Sequence, residues 1–425
     1  MTAEVISVLV LLAVFGLALW RPVNMGALAL VAAFVLGTVY FGSSVPEIAA
    51  GFPASLMITL IGVTFLFGLA KANGTVDLVV HGAVRAVGGR LVLVPWVFFV
   101  LAALITAAGA VTAATNAILV PIGIALAARH RINPLLVGLS IINGTNAGGF
   151  SPISVYYTIV AGGLDQAGVQ VSPLPVFAAT FLFNLALNAA AVTVLGGWRH
   201  KVQVPVAAGV GSGGTGSELP EPEEERHWGM EQQVTVLAFV LVIAGVLGLG
   251  LDIGFTALTA GVVLALLFPH GSAAAAGSIA WPVVLLIGGI ITYISLLQAQ
   301  GVVATLAGAV GGIGQPLLAA FLLLLIAGLV SAFASTNAMF GVVVPLAAPF
   351  LATGSLPLLG FVIALCIAAS AVDSSPFSTG GALIVASSEE EHRTKVFRGL
   401  MAWGMSMIAV APVAAWVVFV LVPSL

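Results

Sequence analysis

The sequence predicts an all-α polytopic membrane protein, and three observations carry that expectation. Of 425 residues, 61% are hydrophobic and only 6% charged, with a mean hydropathy of +1.22. A water-facing surface needs about 25% charged residues, which excludes a soluble enzyme, a nucleic-acid binder and a disordered chain. Apolar runs near the roughly 20 residues that cross about 30 Å of hydrocarbon recur along the whole chain. They are longer than barrel strands, and only 4 Tyr are present to build aromatic girdles, so an outer-membrane barrel is disfavoured. A single cysteine, Cys366, gives no disulfide framework and no thiol metal site.

Taken in order, the first run is Val5–Trp20. It lacks a positive n-region and is followed by Arg21, so it reads as a retained span with its N-terminus outside. Further runs are Asn24–Phe41, Pro53–Ala70, a broken stretch Asn133–Gly162, and Pro175–Gly197. After a polar linker come Val234–Gly250, Gly254–Phe268, Trp281–Gln298, a broken stretch Leu356–Ser388, and Leu400–Val422, ten crossings in all. Leu91–Ala128 and Gln315–Ala352 are too long for one helix and short for two spans. Each contains a polar break, at Thr112–Asn116 and at Ser335-Thr336-Asn337, which fits a re-entrant hairpin whose tip lies mid-membrane within protein.

Charge supports this layout. With the first hairpin entering and leaving on the cytoplasmic side, all 12 Lys and Arg fall inside, as the positive-inside rule requires. The charges left outside are the acids Glu4, Glu47, Asp165 and Asp252. Reading Leu91–Ala128 as one crossing would instead expose Arg129 and Arg131 outside. The expected setting is a cell inner membrane, with both termini outside.

Three segments follow. Residues 1–198 form an N-terminal repeat, 199–231 a flexible acidic cytoplasmic linker, and 232–425 a C-terminal repeat. The halves correspond at an offset of roughly 220 to 230 residues. Phe52-Pro53 answers Trp281-Pro282, Lys71–Gly74 answers Gln298–Gly301, and Thr115–Ala117 answers Thr336–Ala338. Phe150-Ser151-Pro152 answers Ser374-Ser375-Pro376, and the semi-polar segments Val76–Gly88 and Val302–Gly312 are expected along the interface. Five crossings plus one hairpin per repeat place the second upside down relative to the first. Such inverted repeats with discontinuous midplane helices characterise secondary transporters. No P-loop is present, so ATP-driven transport is not expected.

Four polar breaks concentrate the chemistry: the two tips and the stretches Asn143–Pro152 and Ser370–Gly380. Gly and Pro interrupt the helix there, while Asn, Ser and Thr supply oxygen and amide ligands. Helix N-termini inside a membrane attract carboxylates, and free carbonyls with side-chain oxygens hold Na+. One such break alone would read as helix packing; four at matching positions point to a site. Asp373 is the one ionisable residue placed deep in the membrane, a functional candidate by default. It could hold a cation, carry a coupled proton, or cap a half-helix starting near Ser375. The six His lie in loops or at helix ends without metal-site spacing, and Glu389–Lys395 reads as a solvated cytoplasmic turn.

These breaks resemble the ion transporter superfamily that includes the divalent anion:sodium symporters. Four segments resemble the malonate/dicarboxylate carrier family most: Ala114–Ala117, Asn143–Pro152, Ser335–Gly341 and Asp373–Gly381. The resemblance implies an elevator-type carrier, usually a homodimer, importing a small dicarboxylate such as malonate with Na+ or H+. In the symporters the tips read Ser-Asn-Thr and touch both cation and substrate; here they read Thr115-Asn116-Ala117 and Thr336-Asn337-Ala338. The expected substrate residues are Thr115, Asn116, Thr145, Asn146, Ser151, Thr336, Asn337, Ser375, Ser378 and Thr379. The expected cation residues are Thr112, Asn116, Asn143, Gly144, Ser335, Asn337, Ser370, Asp373 and Ser374. No cofactor is expected beyond Na+ as a coupling ion, and neither an enzyme nor a nucleic-acid partner is expected. The alternatives are a cation/proton antiporter or a carrier of another organic anion on the same scaffold. A passive channel would conduct without coupling, which two broken-helix repeats disfavour.

Overall fold

A computed structural model describes residues 3–21, 23–86, 90–165, 168–196, 229–302, 305, 316–332, 336–352 and 356–424. Among them the chain is nearly all helix, without strands. The first half contains α1 (Ala3–Trp20), α2 (Met25–Val35, extended by a π turn over Leu36–Tyr40), α3 (Val45–Ala50), α4 (Ala54–Ala72) and α5 (Thr75–Ala86). It continues with α6 (Val94–Ala107), α7 (Thr112–Arg129), α8 (Pro134–Gly148), α9 (Val155–Asp165) and α10 (Pro173–Val194). The second half runs α11 (Met230–Leu249), α12 (Ile253–Leu267), α13 (Ser272–Gly277), α14 (Trp281–Ala299), α15 (Pro316–Ser331) and α16 (Thr336–Ala352). It ends with α17 (Leu358–Ser370), α18 (Thr379–Ser387) and α19 (Glu390–Trp416).

Among the described residues, six helical stretches are long and apolar enough to cross a membrane: Ala54–Ala72, Thr112–Arg129, Pro173–Val194, Ser272–Ala299, Leu358–Ser387 and Glu390–Ser424. Thr112–Arg129 has, by length and composition, the reach of a full span. Its partner α6 has 14 residues, about 21 Å at 1.5 Å per residue, and cannot cross alone.

Two helix crossings hold the scaffold, each through a pair of glycines. A Cβ on Gly289 of α14 would lie 1.8 Å from the carbonyl oxygen of Gly26 in α2. A Cβ on Gly62 of α4 would lie 2.4 Å from the carbonyl oxygen of Gly254 in α12. Only hydrogen fits at either place, so the backbones touch. Both glycine-bearing helices that follow a loop are pinned at their starts. Asn24 Oδ1 accepts from the Gly26 N–H at 2.9 Å, and Asp252 Oδ1 from the Phe255 N–H at 2.9 Å. Asn24 also donates to the Pro282 carbonyl at 2.8 Å, tying the two halves together.

Around this scaffold the breaks fall where the residues dictate. α8 stops at Gly148 and the helix resumes only at Val155, with Pro152 in the gap. α17 stops at Ser370, passes through a 3-10 turn over Ala371–Ser374, and resumes at Thr379 past Pro376. The turn between α6 and α7 uses Gly109 at φ +105°, a conformation other residues avoid. The two halves then interlock: α16 packs on α9, and α18 packs on α7.

The Glu389–Lys395 run is not a turn. Glu389 is the N-cap of α19, and residues 390–395 form its exposed first turns. Glu390 and Glu391 suit the positive end of a helix, and buried Val396 and Leu400 provide the apolar seam that extends it. The expected interfacial segment Val76–Gly88 is helical over Thr75–Ala86. Val302–Gly312, and the linker from Arg199 to Trp228, lie largely or wholly outside the described residues.

Candidate functional site

Two helices begin, and a third has its first described residues, at one partly open cavity of about 50 Å³. Thr112 and Ala113 open α7, Thr336 and Asn337 are the first described residues of α16, and Ser378, Thr379 and Gly380 open α18. Asn116, Tyr156 and Asp373 complete the wall, and among the described residues no Lys, Arg or His lines it. The Ser378 hydroxyl accepts from the Gly381 N–H at 3.2 Å, which makes Ser378 the cap of α18. Asp373 therefore does not cap that half-helix: it sits upstream, in the 3-10 turn, with its carboxylate turned to the cavity wall.

Both oxygens of Asp373 are held. The Thr336 hydroxyl donates to Oδ1 and the Tyr156 hydroxyl to Oδ2, the latter at 2.9 Å. Thr112 donates to the Tyr156 oxygen at 3.1 Å, and Ser331 pairs with Thr336 at 3.0 Å. One hydrogen-bonded chain thus runs from the first tip through Tyr156 and Asp373 to the second tip. Tyr156 is fixed by rings: its centroid lies 5.4 Å from Phe150 and 5.3 Å from Phe340. Two amide oxygens, Asn116 Oδ1 and Asn337 Oδ1, are buried at this wall without a hydrogen-bond partner among the described residues. A buried acceptor left bare costs about 1–3 kcal/mol, so the site is built to receive a donor or a cation.

Of the residues singled out in the sequence, Thr112, Asn116, Thr336, Asn337, Asp373, Ser378 and Thr379 line the cavity. Others lie behind it and are spoken for. Thr115 takes a hydrogen bond from Thr106 at 3.3 Å, Thr145 donates to the Ile142 carbonyl, and Ser151 donates to the Ala107 carbonyl. Asn146 donates to the Ser370 carbonyl at 2.8 Å, joining the two broken helices. Ser370 and Ser374 bond back to the Cys366 and Ala371 carbonyls, and Ser375 takes the Phe377 N–H. Gly144 packs on α6, where an added Cβ would meet the Phe99 carbonyl oxygen at 2.3 Å. Asn143 is buried on α8 away from the cavity, and Ser335 lies outside the described residues.

Ala113, Tyr156 and Gly380 also line the cavity and are not among the expected residues. Gly380 sits inside the quoted Asp373–Gly381 motif, but Tyr156 stands just past the first break among apolar neighbours. The only sequence signal for it was an aromatic hydroxyl within a turn of the restart of α9.

Fold and composition together are those of a polytopic, nearly all-helical membrane protein. The structure is similar to that of the Alcanivorax borkumensis YdaH transporter, with a TM-score of 0.57 at 13% identity, covering 92% of this chain and 96% of that one. Residues 1–149 match the family model described as dicarboxylate carrier protein MatC N-terminus. That match covers Ala114–Ala117 and most of Asn143–Pro152, two of the four segments that carry the family resemblance, and agrees with the expectation of a carrier. No curated protein sequence matches the chain.

Proposed function

We propose that this chain is a secondary carrier of small dicarboxylates, malonate or a related three- or four-carbon diacid, driven by Na+ or H+. The observation that carries the reading is the meeting of the N-termini of α7 and α18 with the first described residues of α16, two unpartnered amide oxygens and one carboxylate, at a cavity lined by no basic side chain among the described residues. Helix N-termini carry partial positive charge and exposed N–H groups, the right partners for a substrate carboxylate. A dianion beside an ionised Asp373 would be repelled, so the site accepts the dianion only with a proton or cation alongside. Asn116, Asn337 and Asp373 supply the oxygens for that cation, and coupling follows from the charge balance.

A cavity of about 50 Å³ has room for a few water molecules, less than a diacid needs. The tips and broken helices must part to admit substrate, which supports alternating access of the elevator kind. The paired crossings of α2 with α14 and α4 with α12 support two repeats in inverted orientation. A homodimer in the inner membrane, with both termini outside and the linker cytoplasmic, completes the reading. Thermal denaturation of the purified protein tests it. Malonate is expected to raise the melting temperature only when Na+ is present or the pH is low, and acetate is expected to have no effect. Stabilisation by malonate regardless of Na+ and pH would contradict the coupling.

A further inference from the structure

α10 carries a polar stripe on an otherwise apolar helix: Thr180, Asn184 and Asn188, four residues apart and each at most 1% exposed. Burial of that kind in a membrane protein demands partners. The partners present do not suffice. Thr180 bonds back to the Val176 carbonyl at 2.8 Å, and Asn184 Nδ2 donates to the Thr180 carbonyl at 2.9 Å. Asn184 Oδ1, and both Oδ1 and Nδ2 of Asn188, have no hydrogen-bond partner among the described residues.

A third unpartnered amide lies on the helix packed against α10. α10 packs on α8, and Phe181 and Leu185 of α10 lie against the cluster of Phe99, Ala103 and Ala147, the last of these on α8. Asn143 is one turn before Ala147 on the same face of α8. With the chain reversing between α9 and α10, one turn back along α8 from Ala147 corresponds to one turn on along α10 from Phe181 and Leu185, the level of Asn184 and Asn188. Asn143 is 1% exposed and its Nδ2 is also without a partner. The nearest hydroxyl on that face, Ser140, is already committed to the Leu136 carbonyl at 2.9 Å.

The atoms left over define the occupant. Two are acceptors (Asn184 Oδ1, Asn188 Oδ1) and two are donors (Asn143 Nδ2, Asn188 Nδ2). Asn184 is oriented by its bond to Thr180, and turning the Asn188 amide over only exchanges its two free atoms. A metal cation would satisfy the oxygens and face the N–H groups, and an anion would do the reverse. Water donates and accepts, and buried waters characteristically make about three hydrogen bonds to otherwise unpaired groups. We infer that Asn143, Asn184 and Asn188 form a buried water-binding site between α8 and α10, separate from the central cavity. The site adjoins the first break: Asn146, one turn beyond Asn143, reaches the Ser370 carbonyl at 2.8 Å. Water there gives the α8–α10 contact hydrogen bonds that re-form when the broken helices shift.

Hydroxyl-radical footprinting of the purified full chain in H2(18)O tests the site, because radicals formed on a bound water label its neighbours whatever their exposure to bulk solvent. Leu139, fully buried and one turn from Asn143 on the same face of α8, is expected to take up 18O several-fold faster than the equally buried Phe361. Labelling no faster than at Phe361 would overturn the proposal, and this arm needs no variant. The variants supply a second arm. Asn188→Leu is expected to lower the melting temperature, by stranding the other two amides, and the triple replacement of Asn143, Asn184 and Asn188 by Leu to restore it. A rise in melting temperature with every single Leu would mean a dry cluster and would also overturn it.

Discussion

Tyr156 of the first half donates its phenolic hydrogen bond to the Asp373 carboxylate of the second over 2.9 Å. This is the point where the two halves share a polar contact at the cavity, and Thr112 backs it from the first tip. Tyr156→Phe keeps the ring packing on Phe150 and Phe340 and removes only the hydroxyl. Uptake is expected to fall roughly tenfold, about 1.4 kcal/mol, with the protein still folded in the membrane. Unchanged uptake would show that the bond does not serve transport.

Asp373→Asn is expected to separate accumulation from exchange. The amide can keep the bonds to Thr336 and Tyr156 but carries no charge, so substrate still binds while gradient-driven accumulation is lost. Measuring uphill accumulation and substrate–substrate exchange side by side reads this directly. Accumulation at the wild-type level would remove Asp373 from coupling. A capping role could not then be revived, because Ser378 caps α18.

The tip amides are next. Asn116→Ala and Asn337→Ala are each expected to abolish transport without loss of folded protein. Each removes one of the two unpartnered oxygens at the cavity wall. Near wild-type uptake by either variant would exclude that amide from the binding set.

The sequence displayed the breaks because Gly, Pro, Asn, Ser and Thr interrupt otherwise apolar helices, and both gaps fall at the expected stretches. What stayed hidden is what depends on contact. Thr115 and Thr145 look like ligands on the page, yet each hydroxyl is satisfied behind the wall. Tyr156 looks like one more apolar-run aromatic, until α16 brings Asp373's other partner, Thr336, beside it. The glycines at 26, 62, 254 and 289 carry no local signal, since what they permit is the approach of a helix far away in sequence.

That approach makes a stability prediction. In Gly289→Ala the new methyl would fall 1.8 Å from a backbone oxygen, and no side chain can swing aside to relieve it. A destabilisation of about 1–3 kcal/mol or more is expected, seen as a lower melting temperature in detergent. Gly16→Ala serves as the control, having nothing within 4 Å of an added Cβ. Equal melting temperatures would mean that α2 and α14 are not in contact there.

Orientation is tested with single cysteines in a Cys366→Ala background. Leu251→Cys is expected to react with an impermeant thiol reagent on intact cells, and Glu391→Cys only after permeabilisation, both sites being exposed. The reverse pattern would invert the proposed topology.

The most direct measurement is uptake of radiolabelled malonate into proteoliposomes, with Na+ and pH gradients imposed separately. Accumulation above the external concentration under at least one gradient, collapsing when that gradient is dissipated, is the predicted result. Malonate that only equilibrates under either gradient, or does not enter at all, would contradict the reading of this chain as a cation-coupled dicarboxylate carrier.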